Sequence, residues 1–251
     1  MNIRRPVPLW ALLLTILVSG AVAATVVYFP RPPGPDFNLT LSLNPVIVQA
    51  NNWNSTVVKV ESVRGFVGVV TFGIIGPSGL STELSLGQLG NDKNQLVLGA
   101  VGNLTLYTRS GTAADYSVRI VATGGPASHY VDLVVRVQDL GFTANTTSLT
   151  IARGSSGTIG ISLKSLNGLS GSISLVTGVC RPGVSYGCPV DTYVTLQLAP
   201  SNLILQPGGL ATVILAVSVS NSDSQGIDGI SVSATRNSWV FYPPGIQLTI
   251  V

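Results

Sequence analysis

The side chains that could carry acid–base or metal chemistry are few in this sequence. His129 is the only histidine, and it shares the strand phase of Val131 and Leu133, two residues that we expect to point inward. We therefore expect His129 to pack at the end of a strand rather than to act as a base or a ligand. The chain contains no His-x-x-x-His pair, no zinc-type cysteine spacing and no glycine-rich phosphate loop.

One polar stretch, residues 221–226, resembles the beginning of a calcium-binding loop. Its twelfth position is Val232, whereas the calcium loop of an EF-hand has a glutamate there that binds the ion through both oxygens. We therefore interpret the stretch as a polar turn between two strands. The sequence predicts no catalytic residue, no metal and no cofactor, and we expect that the chain is not an enzyme.

The two cysteines, Cys180 and Cys188, bracket a short segment that contains Pro182-Gly183. In an exported chain, two cysteines that flank a turn favour a disulfide, and two unpaired thiols or an intermolecular link are the alternatives. Because the first half of the chain has no cysteine, we expect the bond to pin a loop rather than to hold the fold together.

The elements that position these side chains are predicted to be β-strands. Charged residues make up only 9% of the chain, whereas an ordinary soluble domain has about 25%, so a charge-rich helical surface is excluded. Val, Thr, Ser, Gly and Leu dominate the composition, which is typical of β-sheets and turns.

The net charge of +3 arises mostly at the N-terminus. The chain has 13 Lys and Arg residues against 10 Asp and Glu residues, and two of the arginines are Arg4 and Arg5. The remainder of the chain is almost neutral and has no basic stripe that could neutralise phosphates. We therefore expect no nucleic-acid partner.

Residues 1–29 are predicted to be a hydrophobic helix that acts as a signal anchor or as a signal peptide. The stretch 7–29 contains no charged residue and is long enough to span a bilayer core, which requires about 20 residues. Alternatively, Ala21-Val22-Ala23 provides a cleavage site. With Arg4 and Arg5 on the inner side, both alternatives place the rest of the chain outside the membrane. Residues 30–36 are rich in proline and form a stiff spacer.

An internal repeat divides the remainder into two domains, 37–139 and 140–251. Six positions match at an offset of 103, and a later match, 121–123 with 233–235, has an offset of 112, so the second copy is longer by 9 residues. A period near 100 residues indicates repeated domains rather than a solenoid. The matches at the offset of 103 are Ser62/Ser165, Gly65/Gly168, Phe66/Leu169, Gly68/Gly171, Val70/Ile173 and Phe72/Leu175.

Apolar and polar residues alternate within each copy, as expected for strands with one buried face. Val118 and Ile120 alternate with Arg119 in the first copy, and Ile246 and Leu248 alternate with Gln247 in the second. Period-2 patterns separated by turn clusters predict antiparallel sheets packed on one another, with about seven strands per domain. The fold class is therefore all-β, with two tandem immunoglobulin-like sandwiches after the N-terminal helix.

The sequence resembles the tandem immunoglobulin-like repeats of archaeal, and some bacterial, cell-surface proteins. The shared features are an aromatic start at Phe37 and Phe142, the Ser-x-x-Gly centres 62–68 and 165–171, the proline turns that end in Gly-Leu or Gly-Val at 77–80 and 181–184, and the Pro-Gly-Gly turn 207–209. The resemblance covers nearly all of residues 36–251. It implies a fold and a surface location without selecting one function. Asp115-Tyr116 further suggests a tyrosine corner, and Ile227-Asp228 occupies the same offset in the second copy.

Two sets of surface residues are candidates for recognition. Trp53 and the hairpin aromatics Trp239, Phe241 and Tyr242 are predicted to face one another across the short linker 139–141, where they either stiffen the joint or form a ligand platform. Four sequons are candidate glycosylation sites in an exported chain, at Asn38, Asn54, Asn103 and Asn145.

The sequence as a whole predicts a non-catalytic structural or adhesion protein of the cell surface, or a secreted one if residues 1–29 are cleaved. Its expected partners are the membrane and either an envelope polysaccharide or a surface protein. A carbohydrate-binding or accessory module of an envelope complex is one alternative. A filament or surface-layer subunit is another; it would be joined by strand addition, with 38–49 as a donor strand that Pro45 interrupts.

Overall fold

The computed structural model describes residues 33–86, 94–180, 193–223, 226–242 and 245–251, and within them every regular element is a β-strand. This confirms the all-β prediction. No described helix is long and apolar enough to cross a membrane. The predicted N-terminal helix, residues 1–29, lies outside the described residues.

The strands form two sandwiches in sequence order. The first contains β1 (Asp36–Leu41), β2 (Val46–Gln49), β3 (Asn54–Val63), β4 (Gly68–Ile75), β5 (Ser81–Leu86), β6 (Gln95–Leu98), β7 (Val101–Arg109), β8 (Asp115–Gly124) and the first part of β9 (Ala127–Ala144). The second contains the rest of β9, β10 (Ser148–Ile151), β11 (Ser156–Leu166), β12 (Gly171–Cys180), β13 (Val194–Ala199), β14 (Asn202–Leu205), β15 (Leu210–Val219), β16 (Gly226–Arg236), β17 (Trp239–Phe241) and β18 (Ile246–Ile250).

Both sandwiches have the same strand order. In the first, the order β1-β3-β7-β5 packs against β9-β8-β4-β6, and β2 pairs with β9 in parallel. In the second, the end of β9 leads the order β9-β11-β15-β13, which packs against β10-β18-β16-β12-β14. The strand β10 pairs with β18 in parallel, as β2 does with β9. Two antiparallel sheets with a parallel pair at one edge are immunoglobulin-like.

The strand β9 belongs to both sandwiches. Its first part pairs with β8, and its last six residues, from Asp139 to Ala144, pair with β11 without a break in the strand. The segment 139–141, expected to be a linker, is therefore strand. It still connects the two domains, and it remains extended because Asp139, Leu140 and Gly141 pair with Leu166, Ser165 and Lys164 of β11.

The side chains of β9 enter the two cores from opposite faces of the strand. Leu133, Val135 and Val137 are buried in the first core, whereas Leu140 is buried in the second. Because successive side chains of a strand point to opposite faces, this change from odd to even residues means that the sandwiches pack on opposite faces of β9. The predicted alternation is confirmed elsewhere, since Ile120 and Leu248 are fully buried.

The repeat that was found in the sequence corresponds to a shared turn after the third strand of each sandwich. The Ser62 hydroxyl donates a hydrogen bond to the Phe66 carbonyl at 2.8 Å, and the Ser165 hydroxyl donates to the Leu169 carbonyl at 2.7 Å. Gly65 has a φ of 73°, in the left-handed region that glycine adopts at little cost. The repeat therefore preserves one hydrogen-bonded turn that ends a strand.

The strand pairing shows that the two aromatic starts, Phe37 and Phe142, are not equivalent positions. Phe37 pairs with Ser62, and the residue that pairs with the equivalent Ser165 is Leu140 rather than Phe142. Phe142 pairs with Leu163, one inward position further along β9. The aromatic starts of the two copies are therefore two residues out of register, because aromatic type alone does not determine strand pairing.

The suggested tyrosine corner is present in the first sandwich, between β7 and β8. The Tyr116 hydroxyl donates to the Thr112 carbonyl at 3.1 Å and lies 3.0 Å from the Ser110 hydroxyl. A tyrosine hydroxyl that bonds back to the backbone a few residues upstream fixes the path of that connection.

Candidate functional site

The joint between the sandwiches is held by side chains on both sides of β9. The Gln49 amide donates to the Val240 carbonyl at 2.8 Å and links β2 to the aromatic hairpin. On the opposite side, the Asn167 amide donates to the Val137 carbonyl at 2.9 Å and to the Asp115 carboxylate at 2.8 Å. Together with the unbroken strand, these bonds restrict rotation between the two domains.

A polar cleft of about 420 Å³ opens at this joint. Its lining residues come from the loop after β2, from β9 and from the hairpin, and are Gln49, Ala50, Asn51, Asn52, Asp139, Leu140, Val240, Phe241 and Tyr242. This volume lies within the usual range for small-ligand sites. The cleft combines amide side chains, a carboxylate and an aromatic edge.

Two neighbouring asparagines form the wall of the cleft that belongs to the first domain. Asn51 has a φ of 65°, which asparagine tolerates better than most residues, and its backbone N–H donates to the Ser110 carbonyl at 2.8 Å. The Asn52 amide donates to the Gln49 side-chain oxygen at 2.8 Å. The loop is therefore tied to β2 and to the residue that follows β7, while both asparagines remain exposed.

Asp139 provides the carboxylate of the cleft. One of its oxygens, Oδ1, accepts a hydrogen bond from the Leu140 N–H at 2.8 Å. Burial raises the pKa of Asp139, and the hydrogen bond from Leu140 opposes the rise. No ion pair of Asp139 occurs in the part of the chain that the structure describes.

The structure brings together only part of the predicted aromatic set. Trp239 and Phe241 lie with their ring centroids 6.3 Å apart, and the Arg236 guanidinium lies 5.5 Å from the Trp239 ring centroid. Trp53 instead lies beside Arg109, at 5.9 Å, and is 47% exposed. Among the described rings, Trp53 pairs with no hairpin aromatic, so the predicted contact across the joint was wrong in that detail.

The joint is bridged by Gln49 and Asn167 instead, because amide side chains can satisfy backbone carbonyls at the point where two sheets meet. Tyr242 is 79% exposed and stands at the rim of the cleft. The hairpin therefore contributes to the joint through its backbone and presents one aromatic ring to solvent.

His129 packs at the start of β9, as its phase predicted. Its ring lies edge-on against Phe37, with the centroids 4.9 Å apart, and its Nε2 lies 2.6 Å from Asp36 Oδ1. The hydrogen bond with His129 lowers the pKa of Asp36, and the Phe37 N–H acts in the same direction. The arrangement anchors the start of β1 to β9.

The other candidate residues lie at the surface or outside the described part. All four sequon asparagines are exposed. Three lie on strands of the sheet β1-β3-β7-β5, and Asn145 hydrogen-bonds Gly160 of β11. Cys180 ends β12 and is not a free thiol. Cys188 lies outside the described residues, so the disulfide between them stays a prediction.

No group of three or more His, Cys, Asp or Glu residues with metal-binding geometry occurs among the described residues. The loop that resembles a calcium site is described only up to Asp223 and again from Gly226. Residues 221–222 form a turn after β15, as the sequence predicted, and Asp223 beside it is buried.

The sequence analysis missed Gln49, Asn167 and Asp139, which hold or line the joint. Asn167 could have been found from the repeat, because at the offset of 103 it corresponds to Arg64, whereas Asp139 corresponds to Asp36 and keeps its residue type. A charged residue that is replaced by a neutral one at a repeat boundary indicates a changed neighbour. Gln49 has no such signal.

No family model and no curated protein sequence matches this chain. Among solved structures, the D00-D0 domain of intimin is 13% identical, with a TM-score of 0.43, over 85% of this chain and 99% of that one. The structure titled BspA_C_WT is 7% identical, with a TM-score of 0.40, over 85% and 99%. Domains 4 and 5 of the S-layer protein SbsC are 13% identical, with a TM-score of 0.29, over 86% and 97%.

At these identities and TM-scores the similarity to solved structures carries no argument about function. The immunoglobulin-like assignment rests on the strand order and the parallel edge pairs of this chain.

Proposed function

We propose that this chain is a non-catalytic structural or adhesion protein of the cell surface, in which two immunoglobulin-like sandwiches form one stiff rod. Residues 1–29 export the chain and either remain as the membrane anchor or are removed. The rod projects from the membrane beyond the proline-rich spacer 30–36 and presents its far end to the envelope, to another cell or to a partner protein.

The observation that carries the proposal is the unbroken strand β9. A strand of 18 residues rises about 3.3 Å per residue and therefore extends about 60 Å through both sandwiches. Flexible linkers between domains allow reorientation, whereas a strand that is hydrogen-bonded on both sides of the boundary does not. A chain that only tethered two independent binding modules would not need this continuity.

The surface location is supported by the sequence. The uncharged stretch 7–29 follows Arg4 and Arg5, which the positive-inside rule keeps in the cytoplasm. Glycans on the exposed sequon asparagines would supply solvation to a surface whose charged residues are sparse. The non-catalytic role is supported by the packing of the only histidine against Phe37.

The first test of this proposal is location. Intact cells that produce the protein are treated with a protease that cannot cross the membrane, and peptides from each sandwich are then counted by mass spectrometry. We expect peptides from both sandwiches to be lost from intact cells, while a cytoplasmic control protein is unaffected. Protection of both sandwiches until the cells are lysed would contradict the proposal.

The second test is attachment. The full-length protein is mixed with isolated cell envelopes, and the fraction that sediments with them is measured. We expect saturable sedimentation of the native chain. A chain that remains in the supernatant at every envelope concentration would contradict an adhesive role.

Strand addition has less support in the structure. The predicted donor segment 38–49 is divided between β1 and β2, and both strands already pair within the first sandwich, β1 with β3 and β2 with β9. Its release would break both pairings.

A further inference from the structure

Asp36 and Asp139 occupy equivalent positions at the start of the first strand of each sandwich. Asp36 pairs with Val63 and Asp139 with Leu166, and the two partners are themselves separated by the repeat offset of 103. Each aspartate accepts a hydrogen bond from the backbone N–H of the next residue at 2.8 Å. The backbone therefore holds both carboxylates in the same way.

Their side-chain partners differ. In the first sandwich, Asp36 contacts His129 at 2.6 Å and Arg64 at 3.4 Å. The strand register places Phe241 at the position of His129, because Ala122 pairs with His129 and the equivalent Ala234 pairs with Phe241.

The position of Arg64 is taken by Asn167, whose amide bonds Asp115 and Val137. Both groups that engage the first aspartate are thus replaced by neutral side chains, and in the described part of the chain neither hydrogen-bonds Asp139, which accepts from the Leu140 N–H. Asp139 instead lines the interdomain cleft.

The groups around Asp139 can form hydrogen bonds with a ligand. After it accepts from Leu140, the carboxylate retains Oδ2 and a further lone pair on Oδ1. Asn52 uses one amide hydrogen for Gln49 and retains its second hydrogen and its oxygen. Asn51 is exposed beside it. The cleft thus offers both donors and acceptors, and the hydroxyl groups of a sugar ring can use both, because a hydroxyl both donates and accepts.

An aromatic ring completes the cleft. The same register places Tyr242 at the position of Tyr130 in the first sandwich, where the Arg119 guanidinium lies 4.1 Å from the ring centroid. At the equivalent of Arg119 the second sandwich has Ser231. Tyr242 is 79% exposed at the cleft rim, and an exposed ring offers an apolar face to a ligand that also has polar edges.

We propose that the interdomain cleft is a binding site for a neutral carbohydrate, with Asp139 and Asn52 as hydrogen-bonding residues and Tyr242 as the stacking residue. We expect a neutral sugar rather than an acidic one, because the Asp139 carboxylate would repel the carboxylates of acidic sugars. This site goes beyond the proposed rod function, which requires only the continuity of β9.

The test is calorimetric titration of the full-length chain in a zwitterionic detergent, which brings no sugar headgroup. The probes are maltotetraose, cellotetraose, mannotetraose and chitotetraose, with tetragalacturonic acid as the acidic comparison. We expect saturable binding of at least one neutral probe and no binding of the acidic one. Absence of binding by all four neutral probes, or equal binding of the acidic probe, would overturn the proposal.

Two variants locate the site. Tyr242→Ala is expected to weaken binding about fivefold or more, because an aromatic ring that contacts the ligand contributes strongly to binding. Asp139→Asn keeps the acceptor for the Leu140 N–H and is expected to weaken binding about tenfold, because hydrogen bonds to a charged group are stronger than neutral ones.

The matched control is Tyr130→Ala, which removes an exposed tyrosine at the equivalent position of the first sandwich. We expect it to bind like the native chain. A loss in Tyr130→Ala equal to that in Tyr242→Ala would overturn the assignment to the cleft. Melting temperatures of all variants show whether each remains folded. If no sugar binds in the titration but protease cleaves both sandwiches on intact cells, the sugar site is rejected and the proposed rod function still stands.

Discussion

The two sandwiches share a strand order, but the turns at their ends make different contacts. The shared turn has a left-handed non-glycine residue before its glycine, Arg64 in the first sandwich and Asn167 in the second. Arg64 donates to the Gly34 carbonyl at 2.9 Å, in the segment that precedes the first sandwich, whereas Asn167 contacts the first sandwich itself. In both copies the same turn therefore binds whatever precedes its domain, and the residue type is matched to that neighbour.

The difference teaches that the sheets and the ends of these domains are determined by different interactions. Buried alternation determines the sheets and is the same in both copies. The ends depend on which polar group lies opposite, and these groups differ between the copies. The following predictions test this distinction from the largest expected effect to the smallest.

The largest effect is expected for Ser165→Ala in comparison with Ser62→Ala. Ser165 is buried, donates to the Leu169 carbonyl and accepts from the Gly208 N–H at 2.8 Å. Its loss leaves buried polar groups without partners and should lower the free energy of unfolding by about 2 kcal/mol. Ser62 is partly exposed, so its loss should cost about 1 kcal/mol. Urea unfolding of the two variants measures the difference. Equal costs would show that the copies do not differ here.

Loss of the tyrosine corner is expected to affect only the first sandwich. Tyr116→Phe removes the hydroxyl that bonds Thr112 and Ser110 and should cost about 1 kcal/mol. Tyr107→Phe, on the outer face of β7, is the matched control and should have an effect within about 0.5 kcal/mol. Hydrogen exchange should show faster opening of β7 and β8 in Tyr116→Phe and no change in β15 and β16. Equal acceleration in both sandwiches would contradict a local role.

The joint contact is tested by Asn167→Gly against Arg64→Gly. Both residues have a φ near 50°, which glycine adopts at little cost, so the change removes the side chain without adding backbone strain. Asn167→Gly should lower the free energy of unfolding by about 1 kcal/mol. Arg64→Gly removes a partly exposed ion pair and should lower the free energy of unfolding by less than Asn167→Gly does. A larger loss of unfolding free energy in Arg64→Gly than in Asn167→Gly would contradict the expected importance of the joint contact.

The smallest effect is a pH dependence of opposite sign at the two equivalent aspartates. The pKa of Asp36 is lowered by the hydrogen bond with His129, so its contribution to stability is complete above 3.8, its ordinary value, and is lost as pH falls through its lowered pKa. The pKa of Asp139 is raised by burial, so its charged form destabilises the fold at neutral pH. That cost is relieved as pH falls through the raised pKa towards 3.8.

At pH 7, Asp36→Asn should therefore lower the melting temperature and Asp139→Asn should raise it, each by about 2 °C or less. Both differences from the native chain should shrink in acid, and calorimetry from pH 7 to pH 3 measures them. Shifts of the same sign at pH 7 would show that the two carboxylates have similar surroundings.

The sequence was sufficient to predict the all-β fold, the repeat and the inward phase of residues such as Ile120, Leu248 and His129, because period-2 burial is a local property of a strand. It did not reveal that β9 is continuous. Residues 139–141 contain Asp139 and Gly141, which suggest a turn when they are considered without a partner strand, and the pairing with β11 overrides that preference.

The candidate site was predicted only in part. The hairpin aromatics were identified because Trp and Tyr are favoured at binding sites, and Tyr242 lies at the cleft. The asparagines and Asp139 were not identified, because their role depends on which loop of one sandwich meets which hairpin of the other. That is a property of the joint, and the change of phase along β9 determines it.

The central claim is that β9 makes the two sandwiches one stiff body. The most direct test is the distribution of distances between two spin labels on the full-length chain. One label is attached through Thr71→Cys in β4 and the other through Thr212→Cys in β15, and both positions are exposed. The account predicts a single narrow distribution that becomes broad when Gly-Ser-Gly-Ser is inserted between Gln138 and Asp139. A distribution that is already broad in the uninterrupted chain would contradict it.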